Sequence, residues 1–220
     1  MTKSQLRVLA KQNGISLAAA RQLANKQSIS QRENLADEVR QEVLSTITPN
    51  GRNCVDVARA TSEALTKRGI KNQAYVGWTT LNVGNGDNGI TGHHPTMNTP
   101  GGDDDLTHHA WVQTDTDIID LTTMTIPDSM DKLDALDGQK SDYQFAPEFI
   151  WAPLSANKSW GATHDTVGEF AFCYEPLAPL LADTEAVCEF VQALTRTYRS
   201  RGAAVAYALM SEVRNKLLVK

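Results

Sequence analysis

The stretch HAWVQTDTDIIDLT, residues 109–122, constrains the fold more than any other part of the chain. Apolar and polar residues alternate on both sides of a Thr-Asp-Thr-Asp centre, the period of an antiparallel pair with a buried face. A two-residue turn at Thr114-Asp115 sets Gln113 opposite Thr116, Trp111 opposite Ile118 and His109 opposite Asp120. Directly opposed residues share a face, with Cβ atoms about 4.5–5.5 Å apart. An imidazole and a carboxylate so placed hydrogen-bond, which fixes the ring and leaves its other nitrogen for a proton taken from a nucleophile. A slip of one residue sends Asp120 to the opposite face.

The candidate nucleophile is Cys54. A helix is expected to begin there, because Cys54, Val57, Ala58, Thr61 and Leu65 fall on one stripe and Pro49-Asn50-Gly51 precedes it. Gly69 suits its left-handed C-terminal cap. At a helix start, unpaired backbone N–H groups and the macrodipole favour a thiolate, and an adjacent imidazolium favours it further. The Cys54 N–H is also suited to bind the oxygen of a tetrahedral intermediate. Taken alone, Cys54 reads equally as a packed thiol on an apolar stripe, and His109 as a strand residue at a loop edge. Asn53 is either a cap or a side-chain donor to that oxygen. His108 is expected on the opposite strand face from His109, and Trp111 in the core. Cys173 and Cys188 lie in apolar surroundings and read as core thiols.

In order along the chain, Cys54, Gly69-Ile70, Val76-Gly77, His109-Ala110-Trp111 and Asp120-Leu121-Thr122 resemble the transglutaminase-like core of the papain-like cysteine protease superfamily. The resemblance spans residues 50–122. It implies an α+β fold in which the helix bearing the cysteine packs on an antiparallel sheet. It also implies Cys54 as nucleophile, His109 as general base and then acid, and Asp120 as the orienting carboxylate, without a cofactor.

Around this core the sequence predicts helical additions. Residues 1–32 hold six Lys or Arg and no Asp or Glu; with a whole-chain charge of −5, the remainder carries −11. Short helices are expected over 3–30, broken at Asn13-Gly14, and a separate helix over 32–47. The first two have the look of a helix-turn-helix, so nucleic acid is one possible partner of this basic arm and simple packing on the body is the other. A strand is expected at NQAYVGWTTL, followed by a long loop over 82–107. His93, His94 and Asp103–Asp105 in that loop lack the spacing of a metal site. Residues 126–140 read as a polar excursion, FIWAPL as a short apolar segment and GEFAFCYEPL as a strand. Two C-terminal helices start near Asp183 and Ala203.

The chain thus divides into a basic arm (1–46), a catalytic core (47–182) and C-terminal helices (183–220). No apolar run approaches the ~18 residues of a membrane span. The first residues lack a secretory signal and the three cysteines form no C-x-x-C pair, so a cytoplasmic protein is expected. The expected activity is that of a cysteine-dependent hydrolase, a peptidase or amidase acting on a protein or peptide through an acyl-enzyme. Acyl transfer to an amine, as in a transglutaminase, is the alternative. A non-catalytic protein- or nucleic-acid-binding module on the same fold is the rival from another class.

Overall fold

The computed structural model describes residues 2–97, 108–180 and 183–217, with the side chains of 27, 28, 137 and 212–217 excepted. The chain divides into two compact units, 1–42 and 43–220. In the first, α1 (Lys3–Asn13) opens on a capping box between Thr2 and Gln5 and closes on Gly14 at φ 63°. Ser16 then accepts the Ala19 N–H at 3.1 Å as α2 (Leu17–Leu44) begins. The break at Asn13-Gly14 falls where the sequence puts it. The expected separate helix over 32–47 does not exist; one 28-residue helix runs through. No Gly or Pro interrupts residues 17–44, so nothing in the chain stops the helix once it has started.

The second unit is α+β. Its helix α3 (Cys54–Lys67) buries Val57, Ala58, Thr61, Ala64 and Leu65. It ends with Ile70 N–H on the Leu65 carbonyl and Gly69 N–H on that of Thr66, the paired bonds of a Schellman cap. Gly69 takes φ 71°, which this cap requires and a side chain resists. The helix packs on the two strands that follow, β1 (Asn72–Asn82) and, beyond the short β2 (Ile90–His93), β3 (His109–Thr114). Each buried Val or Leu on this stripe stabilises the contact by roughly 1.5–3 kcal/mol.

Strand β1 organises the antiparallel sheet. The C-terminal strand β6 (Ala171–Pro179) pairs with it from Tyr75 to Asn82. The other edge carries two strands end to end, β3 opposite Asn72–Gly77 and β2 opposite Thr79–Asn82. His109, the first residue of β3, and His93, the last of β2, therefore meet where that edge is handed from one strand to the next. β4 (Asp117–Asp120) pairs with β3, and β5 (Ile150–Pro153) with β4. Leu81, Trp111, Ile118, Ile150, Phe172 and Tyr174 join Ile126 and Met130 in one buried cluster.

Several expectations are corrected here. The loop over 82–107 is not structureless: Asp87–Gly89 form a 3-10 turn and Ile90–His93 join the sheet. Gly92, at φ 142°, allows the approach, since a Cβ there would lie 2.3 Å from the Thr79 carbonyl oxygen. Asp103–Asp105 fall outside the described residues. The polar excursion is a helix, α4 (Ile126–Asp137), with Pro127 in its first turn and Gly138 as a left-handed cap. A further short helix, α5 (Trp160–His164), precedes β6. The C-terminal helices α6 (Thr184–Arg201, capped by Asp183) and α7 (Ala203–Leu217) stand where expected, separated at Gly202. Among the described residues no helix is long and apolar enough to cross a membrane.

Gly77 is the tightest point of this arrangement near the site. A Cβ there would lie 2.1 Å from the Glu175 carbonyl oxygen and 2.8 Å from the Trp111 ring, at the bulge where β6 shifts register on β1. Gly77→Ala is expected to lower the urea midpoint at unchanged m-value, the loss of unfolding free energy being at least the ~1–3 kcal/mol of core overpacking.

Candidate active site

The hairpin that carries His109 and Asp120 turns one residue later than expected. Observed partners are Val112 with Ile119 and Gln113 with Ile118, so Asp115-Thr116 form the turn. The Thr114 hydroxyl explains the choice, accepting the Thr116 N–H at 3.2 Å and that of Asp117 at 2.9 Å. Moving a two-residue turn by one position moves the register by two. Asp120 therefore lies across from Trp111 rather than from His109, yet remains on the His109 face because the side-chain period is two.

The diagonal placement still brings the pair together. His109 Nε2 lies 2.7 Å from Asp120 Oδ2, with the imidazole side chain 12% exposed and the carboxylate 1%. Three further donors serve the buried carboxylate. The Thr122 N–H and hydroxyl donate to Oδ1 at 2.9 and 2.6 Å. The Tyr174 hydroxyl donates to Oδ2 at 2.6 Å. Four hydrogen bonds are what a carboxylate needs to remain ionised away from water. Of these partners, Thr122 belongs to the Asp-Leu-Thr motif but signals nothing alone, and Tyr174 lies 54 positions beyond Asp120, with only strand alternation to mark its inward face.

Cys54, at the start of α3, lines the same pocket as His109, Asp120 and Thr122. Its side chain is half-buried, and its thiol is close enough to His109 to raise the ring's affinity for a proton by hydrogen bonding and by charge. With Nε2 engaged by Asp120, Nδ1 is the ring nitrogen left for the thiol. As the first residue of α3, Cys54 has a backbone N–H with no intrahelical carbonyl to meet. Asn53 serves neither expected purpose: its amide donates to the Thr48 carbonyl and accepts the Asn50 N–H, pinning the preceding loop. Gly51, at φ 77°, contributes to the pocket wall.

The His109 imidazole is stacked against other rings. His93 lies nearly parallel to it at 5.5 Å and Trp111 at 6.4 Å, with interplanar angles of 9° and 15°. Trp111 is a core residue, as the alternation suggests. His108 is half-buried, and burial, then the neighbouring His109, lowers its affinity for a proton. His94 packs among Trp78, Trp160 and Tyr198 and is pushed down to about 4 by burial. Among the described residues no three His, Cys, Asp or Glu side chains group as metal ligands would. Cys173 is buried, its thiol raised to about 11 by burial and then by Glu175. Cys188 is half-buried on α6, raised by burial and by Cys54 against the opposing pull of Arg59.

No protein-family model matches the chain, and no curated protein matches it. A solved structure described only as that of a genomics protein is similar over 84% of this chain and 78% of its own, at 16% identity and a TM-score of 0.40. A likeness at that level carries no argument about fold or function.

Burial works against the charged form of both His109 and Asp120, and each is nevertheless held charged by its partners. The ring is raised from 6.5 to about 10, because the Asp120 charge and hydrogen bond, aided by Cys54, outweigh burial. The carboxyl is lowered from 3.8 to about 2, because His109, Thr122 and Tyr174 outweigh burial. A raised imidazole contributes stability that is complete below pH 6.5 and lost as pH climbs toward its folded value. A lowered carboxyl contributes stability that is complete above pH 3.8 and lost as pH falls toward its own. The difference in urea midpoint between wild type and a His109→Gln/Asp120→Asn double variant is expected to be greatest at about pH 4–6.5 and to shrink on both sides.

Proposed function

We propose that the protein is a cysteine-dependent hydrolase, a peptidase or amidase that works through an acyl-enzyme, on a papain-like core of transglutaminase type. The observation that carries the reading is the convergence of Cys54, His109 and Asp120 on one pocket, with the imidazole bonded to a buried carboxylate on one side and close to a thiol on the other. A buried inert thiol needs none of this.

In the proposed reaction the Cys54 sulfur, having passed its proton to His109 Nδ1, attacks the carbonyl carbon of an amide or ester. The Cys54 N–H at the start of α3 donates to the oxyanion that forms. The imidazolium then returns its proton to the leaving nitrogen or oxygen as the C–N or C–O bond breaks, leaving a thioester. Water, deprotonated by the now neutral ring, attacks the thioester carbon; the thiolate departs and a carboxylic acid is released. Asp120 keeps the ring in one tautomer and orientation throughout and does not itself change protonation.

The rest of the pocket wall favours an uncharged acyl group. Leu81, Ile126 and Leu133 supply apolar surface, and Thr79, Thr91 and Ser129 supply hydroxyls; among the described residues no Lys, Arg or Glu lines it. Charged acyl side chains would lose hydration there, with the charges of His109 and Asp120 already engaged by each other.

Sub-stoichiometric iodoacetamide at pH 6 is expected to alkylate Cys54 at least tenfold faster than Cys173 or Cys188, and His109→Ala is expected to remove that preference. With p-nitrophenyl esters, a thioester on Cys54 is expected in the mass spectrum, forming faster from an N-acetyl-leucine ester than from its aspartate or lysine counterparts. Labelling spread evenly over the three thiols, with no acyl adduct at Cys54, would refute the hydrolase.

A further inference from the structure

The C-terminal part of the core contributes a group that the sequence motif around Cys54, His109 and Asp120 does not contain. Tyr174 stands on β6 opposite Thr79 of β1, and its ring is packed edge-on against Trp111 at 5.0 Å and against Phe172 at 5.8 Å. The side chain is 2% exposed. Its hydroxyl donates to Oδ2 of Asp120, the same oxygen that receives the His109 Nε2–H. Thr122 occupies the other oxygen, so the two carboxylate oxygens do different work: one is tied into the hairpin, and the other is shared between the imidazole and the phenol.

Sharing has a chemical consequence. A hydrogen bond donated to a carboxylate oxygen draws negative charge away from whatever else faces that oxygen. His109 is already pressed toward its protonated form by Asp120 and by Cys54. A general acid held too tightly protonated gives up its proton poorly to a leaving group. The phenol is itself locked in its neutral, donating form by burial and by the Asp120 charge.

We propose that Tyr174 is a positioning residue of the triad: its hydroxyl fixes the Asp120 carboxylate and tempers the charge that faces His109, so that the imidazolium remains able to release its proton. The proposal rests on the hydrolase reading of the same pocket. The titratable groups facing the His109 ring are Cys54 from α3, Asp120 from β4, Tyr174 from β6, and His93 from β2, with His108 preceding it in the chain; the Thr122 hydroxyl, 3.5 Å from Nε2, and the Trp111 ring complete its surroundings.

The test is Tyr174→Phe, which keeps the ring and its packing and removes only the oxygen. The His109 ring is followed by NMR titration in the full chain, alone and in the Asp120→Asn background. The loss of one donor is expected to raise the His109 proton affinity about threefold to tenfold. In the same variant, formation of the Cys54 thioester is expected to slow for an anilide, whose leaving nitrogen needs the proton, and to hold for a p-nitrophenyl ester, whose leaving group does not. Both effects are expected to vanish in the Asp120→Asn background, because Tyr174 acts through that carboxylate. An unchanged or lowered His109 titration in Tyr174→Phe, with Cys54 of the wild type still selectively alkylated, overturns the role of Tyr174 and leaves the hydrolase reading intact. Loss of selective alkylation in the wild type itself overturns the hydrolase reading instead. Should Tyr174→Phe fail to fold, 3-fluorotyrosine placed at Tyr174 provides the check, since it keeps the packing and makes the hydroxyl a stronger donor to Asp120: a lowered His109 proton affinity is expected, and an unchanged or raised one overturns the role of Tyr174.

Discussion

A single buried carboxylate sets the terms for the rest of the molecule. Asp120 is almost wholly removed from water, and an ion in that position is tolerated only where every lone pair finds a donor. The donors come from three places in the chain: His109 on the neighbouring strand, Thr122 two residues on, and Tyr174 on β6. Removing His109, its ionic partner, costs about 3–5 kcal/mol because the carboxylate loses its counter-charge. The β3–β4 hairpin and the last strand, β6, are thus bound to one another through one carboxylate.

The sheet is arranged so that this group faces a gap. Because β2 and β3 divide one edge of β1 between them, backbone pairing is interrupted between His93 and His109. The interruption is where α3 presents its first residue, Cys54. Gly77 permits it sterically, since any side chain there would collide with the backbone of β6 and with Trp111. A helix terminus, a strand end and a bulge, each a weak point of regular structure, coincide at one place. Side chains can be reached there while the flanking strands remain paired.

Much of this was legible in the residues, for identifiable reasons. Period-two alternation announced the hairpin and the face shared by His109 and Asp120, because a register shift of two leaves the face unchanged. The turn itself was misread, since a hydroxyl binding two backbone N–H groups leaves no trace in hydrophobic pattern. The start of α3 at Cys54 and its end at Gly69 followed from stripe and cap. By contrast, α4 was hidden: only Ile126, Met130 and Leu133 carry its apolar side, and its acidic residues read as loop. The strand at Ile90–His93 was hidden by the glycines around it, although one of those glycines is what lets the strand close on β1. The joining of two expected helices into α2 reflects an absence, that of any residue able to stop it.

Tyr174 is the clearest case of information that a local pattern cannot hold. A hydrogen bond between residues 54 positions apart depends on the register of β6 on β1, and that register passes through a bulge beside Gly77. Shifting β6 by one residue would turn the phenol to the other face and bring a neighbour, Cys173 or Glu175, toward Asp120. Neither could replace it: a second carboxylate would repel the first, and a thiol is a weaker donor. The bulge is therefore as much a part of the proposed site as the three residues of the motif. It also gives the C-terminal strand a chemical reason to sit beside β1, beyond the apolar area it buries there.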